Sequence, residues 1–164
     1  MLVNGIQVRV FEGKSAYEEA IDFLMKVNPL DPLKWNNCLA ETALEHTKYL
    51  AENNLLVHDS SDGTSFKKRI EKKVGDWVEG HTSENCDQLG RHNHPHLARN
   101  SIIRQIIDDG VPSRGHRDNI FHKLAKFMGG AIVENPFSKG GVKGTIDFSE
   151  EDVQIYRKGM QTKA

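Results

Sequence analysis

Apolar residues recur at helical spacing in the first third of the chain and predict two amphipathic helices. The first covers residues 15–28 (SAYEEAIDFLMKVN), where a serine can cap the start. The sequence PLDP interrupts the pattern, and a second, central helix is expected from about Leu33 to Glu52. His46 lies beside its apolar stripe and is interpreted as a packed or surface histidine. The apolar positions of the two helices are Ala16, Ala20, Phe23, Leu24 and Val27, then Trp35, Leu39, Ala43 and Leu50.

The middle of the chain combines shorter helical and extended patterns. A helix is expected from about Ser65, with Asp62 or Thr64 as its cap, and its KKRIEKK segment is interpreted as a solvated, positively charged face. A strand should run through residues 77–84. The sequence CDQLGRHNHPHLAR is then expected to form a loop that leads into a helix over residues 100–109.

The C-terminal third contains two apolar segments that predict a β-hairpin. KFMGGAIV and VKGTIDFS flank a turn that contains Gly and Pro, while QVRVF near the N-terminus alternates as a strand or an extended arm does. The strands do not alternate strictly with the helices, so the pattern favours an α+β fold in which helices cover an antiparallel sheet. We expect an N-terminal arm and helix over residues 1–30, the main domain over residues 31–150 and a polar tail over residues 151–164.

The composition is that of a globular protein. Apolar residues make up 37% and charged residues 27% of the 164 residues, and no apolar run is long enough to span a bilayer. The net charge of −1 gives no electrostatic reason to expect nucleic acid as a partner. The first residues lack the features of a signal peptide, so we expect a cytosolic protein or one whose leader has been removed. Cys38 and Cys86 form no CxxC motif, which leaves two buried thiols or a single bridge.

The segment GVPSRGHRDNIF places a histidine at the start of a short helix. Ser113 can cap this helix, which puts His116 in its first turn. The partly positive N-terminal end of a helix favours the neutral imidazole, which is the form that binds a metal or accepts a proton. His116 is therefore a candidate site residue that needs partners elsewhere in the chain.

Two other motifs precede His116 in a fixed order. VHDSSDGTSFKKRI contains His58 and HTSEN contains Glu84, and together with the long helix and the final hairpin they extend from about Leu33 to Phe148. This ordered set resembles the CAP superfamily, or SCP-like domains, which includes cysteine-rich secretory proteins, antigen 5 and pathogenesis-related proteins of class 1. It is most similar to the cysteine-poor microbial members. The resemblance implies an α-β-α sandwich with a three-stranded antiparallel sheet between helical layers.

The resemblance also implies a central cavity lined by two histidines and two acidic residues. His58 and His116 match the histidines and Glu84 matches one acid. The second acid is Asp108 or Asp109, with Asp108 slightly preferred. Two neutral imidazoles with open positions for water suit zinc, and other divalent metals less selectively. Glu84 could orient a histidine, hold a metal-bound water or act as a general base, or the same residues could simply hydrogen-bond and connect three loops.

A competing metal candidate is RHNHPH. Its three histidines, His92, His94 and His96, would share one side of an extended strand, although Pro95 and the polar surroundings favour a loop. The sequence contains no HExxH, GxSxG or GxGxxG motif, which removes the commonest hydrolase and dinucleotide-binding signatures.

The function that the resemblance implies is binding, at the cell surface or outside the cell. The ligand stays open among a protein, a lipid and a sterol, because a fold does not define a function. We carry two alternatives: a metal-dependent hydrolase such as a peptidase, and a carrier of sterols or other lipids. Enzymatic activity is the less favoured of these hypotheses, and no nucleic acid or transmembrane segment is expected.

Overall fold

The chain is described here from a computed structural model that covers residues 2–3, 6–7, 10–75, 78–90, 96–139 and 141–154. Within these residues it forms five helices and six strands. The helices are α1 (Lys14–Lys26), α2 (Asn37–Glu52), α3 (Phe66–Val74), α4 (Leu97–Ile107) and α5 (Gly115–Ile120). The strands are β1 (Leu2–Val3), β2 (Ile6–Gln7), β3 (Lys34–Trp35), β4 (Thr82–Leu89), β5 (Phe127–Glu134) and β6 (Val142–Ser149).

Four of the strands form a mixed sheet in the order β3–β5–β6–β4. Strands β4, β6 and β5 pair antiparallel along their full length, and the short β3 joins β5 in parallel. The α+β fold and the C-terminal hairpin are confirmed. The expectation of a three-stranded antiparallel sheet is wrong, because the segment before α2 is held on β5 by backbone hydrogen bonds, Lys34 N to Lys126 O (2.9 Å) and Asn36 N to Met128 O (2.8 Å).

Helix α2 begins four residues later than its apolar pattern predicts. Asn36 follows β3 and has an extended backbone. Its side chain caps α2 by accepting a hydrogen bond from Leu39 N at 2.8 Å. The predicted start at Leu33 is therefore wrong. Trp35 lies in β3 and is 59% exposed, whereas Leu39 and the other predicted apolar positions within α2 are buried.

Strand β4 lies later in the sequence than predicted. It runs over Thr82–Leu89, so the segment from Cys86 to Leu89, which was expected to be a loop, belongs to the sheet. Alternate side chains of β4 point to opposite faces. Glu84 faces α2 and α3, where it contacts His46 and Arg69. Asn85 faces the other way, toward α4 and α5. Helices therefore lie on both faces of this strand.

Several predicted helix ends differ from the observed ones. Helix α1 begins at Lys14, so Ser15 lies inside the helix and does not cap it. Helix α4 covers Leu97–Ile107 and therefore starts and ends earlier than the predicted residues 100–109. Ser65 is the cap position of α3, and Asp62 instead accepts a hydrogen bond from Thr64 N at 2.9 Å. Helix α5 is preceded by Arg114 in a left-handed conformation, so Ser113 does not cap it. Residues 8–9 of QVRVF and residues 155–164 of the polar tail lie outside the described residues.

Two histidines stack at the beginning of β4. The ring centroids of His81 and His122 are 3.5 Å apart and their planes differ by 7°. Burial lowers the pKa of His81 from its usual 6.5, and the charge of His122 lowers it further, against the opposing effect of Glu150, which also contacts Lys126. The folded protein thus binds this proton less tightly than the unfolded chain does. The resulting stability is present above pH 6.5 and is lost as the pH falls through the lowered pKa.

We therefore expect this stack to make the fold sensitive to acid. The free energy of unfolding in urea should fall between about pH 7 and about pH 5, and it should fall less in His122→Gln, which removes one of the two charges. The expected difference is below about 1 kcal/mol because solvent screens a partly exposed pair. An equal fall in both proteins would show that the stack does not contribute to the acid sensitivity.

Candidate functional site

The first histidine of the predicted site is 58% exposed and contacts a buried carboxylate. His58 lies between α2 and α3, and its Nδ1 is 2.9 Å from Glu84 Oε1. The other oxygen of Glu84 accepts a hydrogen bond from Arg69, which also donates to the backbone oxygen of His58 at 2.6 Å. The hydrogen bond to Glu84 raises the pKa of His58 above its usual value, against the effect of burial. Both carboxylate oxygens are engaged, an arrangement that orients the imidazole.

The second histidine forms a separate pair with a carboxylate. His116 lies in the first turn of α5, as expected, and its Nδ1 is 2.6 Å from Asp108 Oδ1. Asp108 Oδ2 also accepts a hydrogen bond from His116 N at 2.9 Å, so this side chain satisfies a free amide at the start of α5. Asp109 points elsewhere and accepts hydrogen bonds from the backbone of Phe11 and Glu12. Asp108 is therefore the acid that contacts His116.

An open cavity of about 450 Å³ lies beside the second pair. His116, Asp108 and Cys86 line its wall, together with apolar side chains. His58 lies beside the same wall, since its Nδ1 is 3.7 Å from Cys86 Sγ. The apolar lining residues are Phe11, Tyr17, Leu56, Ile107 and Val111. The structure thus brings each histidine to a carboxylate, and Cys86 both contacts His58 and lines the same cavity as His116 and Asp108.

A buried amide connects the parts of this site. Asn85 is fully buried, and its Nδ2 donates to Gln105 Oε1 at 2.8 Å and to the backbone oxygen of His116 at 2.9 Å. Its Oδ1 accepts a hydrogen bond from Asn119 Nδ2 at 2.8 Å. The sequence pattern did not reveal this role, because the predicted strand ended at Glu84. The SEN motif, continued as a strand, would have placed Asn85 on the opposite face.

A second feature missed from the sequence lies on the inner side of Glu84. His46 is buried, and its Nε2 is 2.9 Å from Val57 O and 4.0 Å from Glu84 Oε1. Ligand atoms of His46, Glu84 and Cys86 all lie within 4.8 Å of one another, the only such group found among the described residues. Burial lowers the pKa of His46 and raises that of the Cys86 thiol.

The remaining predictions about cysteines and histidines have different outcomes. Cys38 and Cys86 are both buried and free, so the prediction of two buried thiols is confirmed and the alternative of a single bridge is wrong. His92 and His94 of the competing candidate lie outside the described residues, while His96 is exposed just before α4.

The fold and the site together define an α+β domain with a mixed sheet, two histidine–carboxylate pairs and a cavity that one of these pairs lines. The model of the CAP family, described as the cysteine-rich secretory protein family, matches residues 9–143. The chain belongs to this family. No curated protein matches the sequence significantly.

Solved structures of bacterial proteins share the fold. An outer surface protein from Borrelia burgdorferi is 22% identical with a TM-score of 0.56, and the match covers 82% of this chain and 89% of that one. An extracellular protein containing an SCP domain from Bacillus anthracis is 18% identical with a TM-score of 0.57. That match covers 84% of this chain and only 40% of the Bacillus protein. Among the described residues, no helix has the length and apolar character needed to cross a membrane.

Proposed function

We propose that this chain is an extracellular or surface binding protein whose cleft holds a divalent metal, with zinc preferred, through His58 and His116. The observation that carries the proposal is that both histidines use Nδ1 to contact a carboxylate. This contact fixes the ring and leaves Nε2 available, which is the usual arrangement around histidines that bind metals.

The donor set fits a weak or conditional site. Two imidazoles with water in the open positions suit zinc, but two protein ligands hold a metal less tightly than three or four. The raised pKa of His58 means that a proton competes with the metal, so we expect occupancy to increase as the pH rises. When bound, the metal would order the cleft and offer open positions to a polar ligand group.

The structure gives less support to the hydrolase alternative. A general base must meet the substrate and its attacking water, whereas Glu84 is only 2% exposed and lies beneath His58 and Arg69, which donate to its two oxygens. Binding outside the cell is supported by the two bacterial neighbours, which are named as an outer surface protein and an extracellular protein. The proposed ligand is a protein, a lipid or a sterol, as the family resemblance implies.

Zinc binding by the cleft can be measured by calorimetric titration of the metal-free full chain. We expect that His58→Ala and His116→Ala each weaken binding to the cleft by at least about tenfold, because each removes one of two protein ligands. His96→Ala, at an exposed histidine before α4, is the matched control and should bind as the wild type does. Unchanged zinc affinity in His116→Ala would contradict the proposed cleft site.

A further inference from the structure

We propose a second metal site, on the inner side of the cleft, formed by His46, Glu84 and Cys86. We call it the inner site. Its ligands would be an imidazole nitrogen, a carboxylate oxygen and a thiolate, which is a donor set that suits zinc. The inner site does not use His116 or Asp108, so it can be tested separately from the proposed cleft function.

The ligand atoms are already close to the arrangement that zinc requires. His46 Nε2 and Glu84 Oε1 are 4.0 Å apart, and all three ligand atoms lie within 4.8 Å of one another. Neighbouring ligands of a tetrahedral zinc ion are about 3.5 Å apart, given the usual zinc–ligand distances. Side-chain shifts of about 1 Å would therefore complete the geometry. The carbonyl oxygen of Val57, which is 2.9 Å from His46 Nε2 and 3.6 Å from Cys86 Sγ, lies beside the remaining position.

Unsatisfied polar atoms surround this group. Asp147 is fully buried directly opposite Glu84 in the sheet, where its carboxyl group contacts that of Glu84, and no N–H donor of the described residues reaches either of its oxygens. Buried polar atoms without a partner are rare in native proteins and call for an explanation such as a bound ion. Of the seven such side-chain atoms in the described residues, three are oxygens on the same face of the sheet as Glu84 and Cys86, which a cation could contact: Thr145 Oγ1 and both oxygens of Asp147.

The charges of this neighbourhood also favour a cation. Glu84, Asp147 and the Cys86 thiol lie on one face of the sheet, and Arg69 is paired with Glu84. Glu84 and Asp147 lie directly opposite each other on neighbouring strands, where two carboxylates repel each other. A divalent cation between these groups would offset their negative charge. An oxygen-only site for Mg²⁺ or Ca²⁺ is not favoured, because the set contains sulfur and nitrogen.

Binding at the inner site moves protons in a defined way. The Cys86 thiol loses its proton to solvent as the sulfur–metal bond forms. His46 Nε2 exchanges its hydrogen bond with Val57 O for the metal, and its proton passes to Nδ1. One proton is therefore released for each metal bound, so the affinity increases with pH. His58, whose Nδ1 contacts both Glu84 and Cys86, lies between the inner site and solvent.

Cobalt(II) is the probe that tests the inner site, because a cobalt–thiolate bond gives a charge-transfer band in the near ultraviolet. We expect the metal-free full chain to develop this band when it is titrated with Co²⁺, and zinc to abolish it. The band should be absent in Cys86→Ser, and His46→Gln should bind cobalt at least about tenfold more weakly. The band should persist in Cys38→Ala, which removes the other buried thiol, and in His116→Ala, which removes a ligand of the cleft.

The outcomes separate the two proposals. A wild-type protein without a thiolate band, or a band that survives in Cys86→Ser, overturns the inner site. Weaker zinc binding in His116→Ala together with an unchanged cobalt band supports both sites, whereas unchanged zinc binding with an unchanged band supports the inner site alone.

Alkylation with iodoacetamide, read by mass spectrometry, tests the inner site in the wild-type protein. Zinc should slow alkylation of Cys86 but not of Cys38, and equal rates with and without zinc would also overturn the proposal.

Discussion

Gly129→Ala is expected to destabilise the fold by at least about 3 kcal/mol, which is the upper end of the cost of overpacking a core. Gly129 lies in β5 directly under α2, and a Cβ built on it would be 2.1 Å from Ala40 N and 2.6 Å from Leu39 C. These are backbone atoms of the helix, so no side-chain rotation can relieve the contact. The helix would have to move away from the sheet, which would expose Leu39 and open the core that it closes.

The effect of this substitution can be measured by urea unfolding followed by circular dichroism. Gly144→Ala is the matched control in the neighbouring strand, because the nearest atom to a Cβ there is Ala131 O at 3.7 Å, an ordinary contact. We expect the control to unfold within about 1 kcal/mol of the wild type. Equal stabilities for the two variants would show that α2 does not pack on β5 at this distance.

The parts of the fold that follow local patterns could be predicted from the sequence. The helical period identified α2 through Leu39 and Leu50, both fully buried, and the alternation of the final hairpin identified β5 and β6. The same patterns could not locate β3, because only two residues pair with β5 and their hydrogen bonds join them to distant residues, Lys126 and Met128. A strand of that length leaves no periodic signal.

The sequence motifs predicted the histidines of the candidate site and one of its carboxylates. They did not predict the side chains that hold these residues in place. His58, Glu84 and His116 were singled out, and the structure places each histidine on a carboxylate. Arg69 was missed because its positively charged segment was interpreted as a solvated face. Its side chain is only 11% exposed and pairs with Glu84. Contacts between residues this far apart depend on how the helix is rotated against the sheet.

The two proposed metal sites differ in what they require of His58. In the proposed cleft site its Nε2 would bind the metal while Nδ1 keeps its contact with Glu84. In the inner site the histidine contributes no bond to the metal and only covers Glu84 and Cys86 from the solvent side. His58→Ala should therefore weaken the cleft site strongly and the inner site weakly, an ordering opposite to that expected for Cys86→Ser.

Arg117→Met is expected to destabilise the fold by about 3 kcal/mol, because two partly buried carbonyl groups each lose a charged donor at a cost of about 1–3 kcal/mol. The Arg117 side chain is 2% exposed and contacts Glu19 of α1 at 2.5 and 2.9 Å. It also donates to the backbone oxygens of Ile106 at 2.5 Å and Ile107 at 3.1 Å. Methionine fills most of the volume but leaves these carbonyl groups at the end of α4 without their donor, which carries a desolvation cost.

Glu19→Gln separates the ion pair from the carbonyl contacts. Glu19 is 47% exposed, so solvent screens its charge and we expect this variant to lose less than about 1 kcal/mol. Arg117→Lys keeps the charge but not the planar fork that reaches both carbonyl groups and Glu19, and it should fall between the other two variants. The order is measured by urea unfolding of the three variants. A loss in Glu19→Gln as large as in Arg117→Met would show that the ion pair, rather than the carbonyl contacts, joins α1 to the helices around His116.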